Sequence, residues 1–184
     1  MIEKTLKVAL ICAIGALTIT RSHAAPATKW ATRDTRAARV LVQRIHAYKR
    51  ITWHWQRVMG VPRAPFANSA ARSRDLTYTR WVLRLWRRRA DRIVTRAKNP
   101  PHEVGWRCIH SYEGGWHANT GNGYYGGLQL DISFQRRYGA YLLRRKGTAD
   151  KWSPMEQMWV AERAHRSGLG FYPWPHTARY CGLI

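Results

Sequence analysis

Two stretches of this chain repeat apolar groups at helical spacing on a background of arginine, and that pattern most limits what the chain can fold into. In residues 36–59, RAARVLVQRIHAYKRITWHWQRVM, the groups Leu41, Ile45, Tyr48, Trp55 and Met59 follow one another at steps of three, four or seven. Such steps place them on one face of a helix, with arginines and lysines around the rest. From about Arg74 to Ala97 a second stripe runs through Tyr78, Val82, Leu85, Trp86 and Ile93, with Arg84, Arg87, Arg88, Arg89 and Arg92 on its basic side. Gly60, Pro62 and Pro65 in GVPRAP stop the first helix, and KNPP (98–101) breaks the second and marks the expected domain boundary. The expectation is a basic helical hairpin over residues 25–99 whose tryptophans fill the interface between its helices. A second use for exposed tryptophans beside arginines is to rest on a membrane interface.

Charge follows the same division. Residues 25–99 hold 19 Lys and Arg against three acids, Asp34, Asp75 and Asp91, whereas residues 100–184 hold ten against six. A segment this basic seeks a polyanion, and the compartment decides which. MIEKTLK is a basic start, VALICAIGALTI a twelve-residue apolar run, and RSHAAP a small-residue site, the order of a secretory signal. Ser22 and Ala24 take the −3 and −1 places, so residues 1–24 are expected to be removed. The apolar run is short of the ~20 residues that span a bilayer. Export to the outside or the cell wall points the basic arm toward anionic wall polymers or a membrane surface and away from nucleic acid. It also leaves two cysteines, Cys108 and Cys181, an even pair that suggests a disulfide.

The remaining 100–184 segment reads as mostly helical with one small hairpin. A short helix is expected over 103–112. Residues 116–127 have the composition of a glycine-rich hairpin, with Asn122-Gly123 as its tight turn. Asp131 looks like the N-cap of a helix ending near Gly139. SPME (153–156) is a capping box whose helix should run to about Ser167, with Gly168 just beyond.

Few chemistries fit these residues. HEVGW (102–106) begins like a zinc-protease helix, but Trp106 stands where a second histidine is needed. His110, Glu113 and His117 have helical spacing for a metal, yet Gly114 and Gly115 interrupt it. No phosphate-cradling or dinucleotide motif is present, and neither a metal nor a cofactor is expected. That leaves EGGWHANTGNGYYGGLQL (113–130), a single carboxylate among six glycines and three aromatic rings. Burial of Glu113 among Trp116, Tyr124 and Tyr125 would favour its protonated form and suit it to general acid work, while the surrounding positive charge acts the other way.

WRCIHSYEGGWHANTGNGYYGGLQ, with EQMWVAER and the closing PWPHTARYC, resembles the lysozyme-like catalytic domain of the resuscitation-promoting factors, the transglycosylase-like family of actinobacterial cell-wall enzymes. The resemblance covers roughly residues 104–184. It implies a small α+β lysozyme-like fold, a single catalytic Glu113, and peptidoglycan glycan strands as substrate, cut at the β-1,4 bond between N-acetylmuramic acid and N-acetylglucosamine. It implies that Gly127-Leu128-Gln129 lies on the floor of the sugar groove and that Cys108 pairs with Cys181. Trp116, Asn119, Thr120, Tyr124, Tyr125, Gly127 and Gln129 are the expected substrate contacts. If the hairpin is extended, one of Tyr124 and Tyr125 faces the groove and the other the core.

A glycosidase that transfers to water usually needs two carboxylates, and Asp131 is the candidate second. A lytic transglycosylase manages with one. Two rival readings remain from the sequence: a wall-binding or signalling module without turnover, and a cationic membrane-active protein.

Overall fold

The computed structural model describes residues 29–66, 73 and 75–184, with side chains from residue 36 onward. The expected secretory segment, 1–24, lies outside them. Among the described residues no helix is long and apolar enough to cross a membrane.

The two arginine-rich stripes form helices α1 (Lys29–Val58) and α2 (Leu76–Ala97), packed along each other as a hairpin. Asp75 caps α2, its carboxylate accepting from the backbone N–H groups of Thr77 and Tyr78 at 2.7 and 3.2 Å, which satisfies donors a helix start leaves unpaired. Ile45, Val82 and Trp86 are buried between the helices, with Tyr48, Trp53, Phe66 and Tyr78 packed around them. Trp53, Phe66 and Trp86 meet edge to face at 5.6–6.5 Å. Of the hairpin tryptophans whose side chains are described, Trp53 and Trp86 fill the interface between the helices as expected, whereas Trp55 packs against the C-terminal core and Trp81 is half exposed.

The C-terminal unit is helical with a two-stranded antiparallel sheet, the expected α+β mixture. Its helices are α3 (Glu103–Glu113), α4 (Ile132–Tyr138), α5 (Ala140–Lys146), α6 (Pro154–Ala164) and α7 (Pro175–Tyr180). Both predicted caps are present. Asp131 accepts from the Phe134 N–H at 2.8 Å, and Ser153 and Glu156 close the capping box at the start of α6. The expected loop around Asn122-Gly123 is closed by an antiparallel bridge between Asn119 and Tyr125 and by the Gly126 N–H donating to the Ala118 carbonyl at 2.8 Å. Strand β1 (Tyr124–Tyr125) pairs in addition with β2 (Leu130–Asp131) through a second turn, 126–129, that composition did not suggest. Gly126 (φ 75°) and Gln129 (φ 48°) supply the left-handed geometry of that turn. Gly123 makes a bend ahead of β1, where the Asn122 side chain accepts from the Tyr124 N–H. Helices α5 and α7 were not foreseen, each being under two turns long and too short to show a period. The regular turns of α6 end at Ala164 and continue as a wider helical turn over His165–Leu169, in which Gly168 (φ 99°) breaks the helix where expected.

One core runs through the C-terminal unit into the hairpin. Trp106, Ile109, Leu128, Trp152, Met158, Trp159 and Val160 are fully or almost fully buried in it, and so are Val58 and Met59 from the end of α1. The Trp159 indole donates to the carbonyl of Ala97, the last residue of α2, at 2.8 Å. Arg166 donates to the Met59 carbonyl at 2.5 Å. Glu156, 2% exposed, meets Lys146 of α5 at 2.6 Å and His54 of α1 at 3.1 Å. The hairpin is built into the unit and does not hang from it. Cys108 on α3 is bonded to Cys181 beyond α7, with Cα atoms 5.9 Å apart. Closing a loop of 73 residues stabilises by about 4 kcal/mol in the chain-entropy account.

Candidate active site

Glu113 is the last residue of α3, and Gly114, at φ 145°, turns the chain away directly behind it. The carboxylate is therefore carried to the rim of the domain and left half-buried. It faces a cleft of about 270 Å³ lined by Glu113, Asn122, Tyr124, Gln129 and the segment Pro173–His176. Glu113 is the one carboxylate in that lining. The Thr177 hydroxyl donates to its Oε1 at 2.9 Å, fixing its direction.

The wall opposite the glycine-rich loop comes from the C-terminal segment. The Trp174 ring is buried, and its indole donates to the Leu128 carbonyl at 2.7 Å, joining the two walls. The disulfide holds them together a second time, because Cys108 lies one helical stretch before Glu113 and Cys181 just after Thr177. Gln129 sits at the floor in a left-handed conformation that non-glycine residues rarely take. Its side-chain amide donates to the Gly126 carbonyl at 2.9 Å. Strain of this kind persists only where surrounding structure enforces it. Here the enforcement is Gln157, buried in α6, which accepts from the Gly127 N–H at 2.8 Å and donates to the Trp116, Ala149 and Trp152 carbonyls.

The expected contact residues divide into two groups. Tyr124 and Gln129 line the cleft with Glu113. Tyr124 is 47% exposed, whereas Tyr125 packs against the core, the alternation expected of an extended pair. Gly127 and Leu128 are buried beneath the floor. A Cβ on Gly127 would come within 2.5 Å of His110 and 2.8 Å of Trp116, so this glycine serves close packing and not direct approach to a ligand. Trp116 stacks on His110 at 3.9 Å and does not line the cleft. Asn119 and Thr120 are exposed, Asn119 bridging Tyr125 across the loop.

Asp131 accepts from the Ser133 hydroxyl at 2.6 Å as well as from Phe134 N–H. The Ser133 bond first, then the backbone bonds, hold its carboxyl below the ordinary range against partial burial. It is occupied as a helix cap and is absent from the cleft lining. His110, Glu113 and His117 do not converge: His117 meets the Asp150 carbonyl at 2.7 Å. Among the described residues the donor set close enough for a metal is His102, Glu162 and His165, whose ligand atoms lie within 4.8 Å of one another. Its buried carboxylate already accepts from the Trp106 indole at 2.7 Å and the His102 backbone N–H at 2.9 Å, bonds that tie α3 to α6. Burial, then the neighbouring His102, pushes His165 down.

Asn122, Trp174, the flanking prolines, His176 and Thr177 escaped the sequence reading as site residues. The signal was present in the cysteines. A bond from Cys108 to Cys181 brings residues 173–177 to the end of α3, where Glu113 stands.

A small helical domain with one short hairpin and a cleft holding a single carboxylate at a helix end defines a lysozyme-like α+β class. Residues 102–177 match the transglycosylase-like domain family. An 80-residue stretch is 40% identical to resuscitation-promoting factor RpfE of Mycobacterium tuberculosis, covering 42% of this chain and 43% of that protein. This part of the chain is similar to transglycosylase-like domains, and the chain spans less than half the length of the relative it matches.

Proposed function

We propose that the chain is an exported peptidoglycan-cleaving enzyme, a lytic transglycosylase acting on the bond between N-acetylmuramic acid and N-acetylglucosamine. The observation that carries this reading is the cleft's single carboxylate, Glu113, held by Thr177 while Asp131 is engaged elsewhere as a cap. Glu113 gives its proton to the bridging oxygen as the bond from the muramic acid C1 to that oxygen breaks. The resulting carboxylate then takes the proton of the muramic acid C6 hydroxyl as that oxygen bonds to C1. The acid is regenerated, no water is consumed, and the product ends in a 1,6-anhydro ring. Tyr124 offers ring surface to the sugars, and Asn122 and Gln129 offer amides to hydroxyl or N-acetyl groups. The substrate's own N-acetyl group helps stabilise the oxocarbenium-like intermediate.

Residues 1–24 direct export, 100–184 cut, and the arm, 25–99, holds the enzyme on the anionic wall. Retention on purified walls should weaken steadily as salt rises, because exposed charge attraction is screened over about 10 Å at 0.1 M. Retention indifferent to salt would remove the arm from this role. Deleting the arm is a poor test, since it would strip Val58, Met59 and the Ala97 carbonyl from the shared core.

The deciding experiment is mass spectrometry of peptidoglycan digested by the disulfide-intact protein beside Glu113→Gln. Anhydro-muramyl ends that fall by ~10²-fold or more in the variant, the scale of general acid–base catalysis, support the proposal. Reducing ends would mean hydrolysis, and absence of cleavage would favour a wall-binding module.

A further inference from the structure

We propose that the seam between the hairpin and the C-terminal unit is a binding groove for a phosphodiester polymer of the wall, read by arginines from both sides. Naming a wall polymer rests on the wall-retention reading above; the groove itself does not depend on Glu113.

Two adjoining cavities, about 410 and 400 Å³, lie along this seam and share Arg57 and Tyr141 as common wall. Arg50 and Arg145 line the first, and Arg144 and Arg163 the second. Arg57 arrives from α1 and Arg145 from α5, and both guanidinium groups lie over the Tyr141 ring, at 5.1 and 5.7 Å from its centre. Five guanidinium groups thus gather on two cavities, and none forms an ion pair among the described residues. The nearby acid, Glu156, is buried and already engaged by Lys146 and His54, so it leaves the groove's charge unbalanced. Arg163 is half-buried on this seam, where burial first and then Arg166 disfavour its charged form. An anion would relieve both effects.

The arrangement selects a class of anion. A carboxylate has two oxygens in one plane and suits one guanidinium fork, whereas a phosphate presents its oxygens tetrahedrally and can meet forks arriving from different walls. Two cavities in line with a shared wall match repeating phosphates better than one lipid headgroup. The tyrosine and the neighbouring Trp55 provide apolar surface for the carbon units between them.

The test uses the full-length chain with its disulfide intact and measures binding of poly(glycerol phosphate) by calorimetry at fixed salt. Arg57→Ala/Arg145→Ala is compared with Arg84→Ala/Arg88→Ala, which removes the same charge from the exposed face of α2. The groove variant should bind about tenfold more weakly, the loss of roughly one charge-assisted contact, and the control should change by less than about threefold, as expected of screened surface charge. Arg57→Lys/Arg145→Lys keeps the charge without the fork and should remain several-fold weaker than the parent. That variant carries the test if the alanine pair does not fold, and parental affinity in it would overturn the proposal. Equal losses in groove and control variants would also overturn it. So would tighter binding of polyglutamate, of phosphatidylglycerol vesicles or of oligodeoxythymidylate at matched charge. Cleavage of soluble glycan fragments by the groove variants is expected to be unchanged. A binding result that holds while Glu113→Gln leaves cleavage intact would keep the groove and discard the catalytic reading.

Discussion

Glu156 joins three pieces of the molecule, and removing its charge tests whether the arm and the C-terminal unit are one cooperative structure. Burial alone would push this carboxyl up. Hydrogen bonds from His54 and Lys146, the Ser153 backbone N–H and the charge of Lys146 overturn that and hold it at about 2, from an ordinary value of 4.5. A fall of this size, at ~1.4 kcal/mol per pH unit, is worth on the order of 3 kcal/mol of pH-dependent stability. The sign follows from a depressed folded value. Stability is fully present above about pH 4.5, where the unfolded carboxyl is also ionised, and is lost as pH falls toward about 2. Glu156→Gln keeps the capping box, since glutamine also serves at that position, but lacks the titration. Urea unfolding of both proteins between pH 6 and 2, disulfide intact, isolates the effect because all other carboxylates cancel. The parent should lose about 3 kcal/mol more than the variant across that range. In thermal melts this corresponds to a gap closing by about 6–12 °C for a chain of this size. Parallel stability curves would refute the reasoning and mean that the seam carries no linked charge.

Two further outcomes follow from the cleft. Thr177→Val removes the hydroxyl that donates to Glu113 and fixes its direction, and losing that bond, about 1 kcal/mol, should lower kcat roughly fivefold with little change in KM; Thr177→Ser should restore it, and an unchanged kcat would leave Thr177 with packing alone. Gln157→Leu would take the side-chain partner from the Gly127 N–H and from the Trp116 and Trp152 carbonyls, while the Ala149 carbonyl keeps the Trp152 N–H, so stability should fall by about 2–4 kcal/mol in denaturant titration. Because Gln157 also supports the turn that carries Gln129, cleavage should weaken along with stability.

The features legible along the chain are local or periodic. The stripes through Ile45 and Val82 specified two amphipathic helices because a 3.6-residue period leaves them one way to bury those groups. Asp131 and Ser153 announced their helices because a cap needs only its own next few residues. The long motif around Glu113 pointed to the transglycosylase-like resemblance, and the cysteine pair to the disulfide. The rest depends on contacts between distant segments. The second pairing, Tyr124 with Asp131, follows a turn that Gln157, some thirty residues later, holds through the Gly127 N–H. Trp116 was turned toward His110 and the core, and Tyr124 toward the cleft. Thr177 reached Glu113 across 64 residues. Met59, read as part of a separate arm, became core of the C-terminal unit because the end of α1 and the end of α2 both close over Trp159. Spacing along a chain reports on neighbours within a few turns, and the cleft and the seam are each made from segments that only folding brings together.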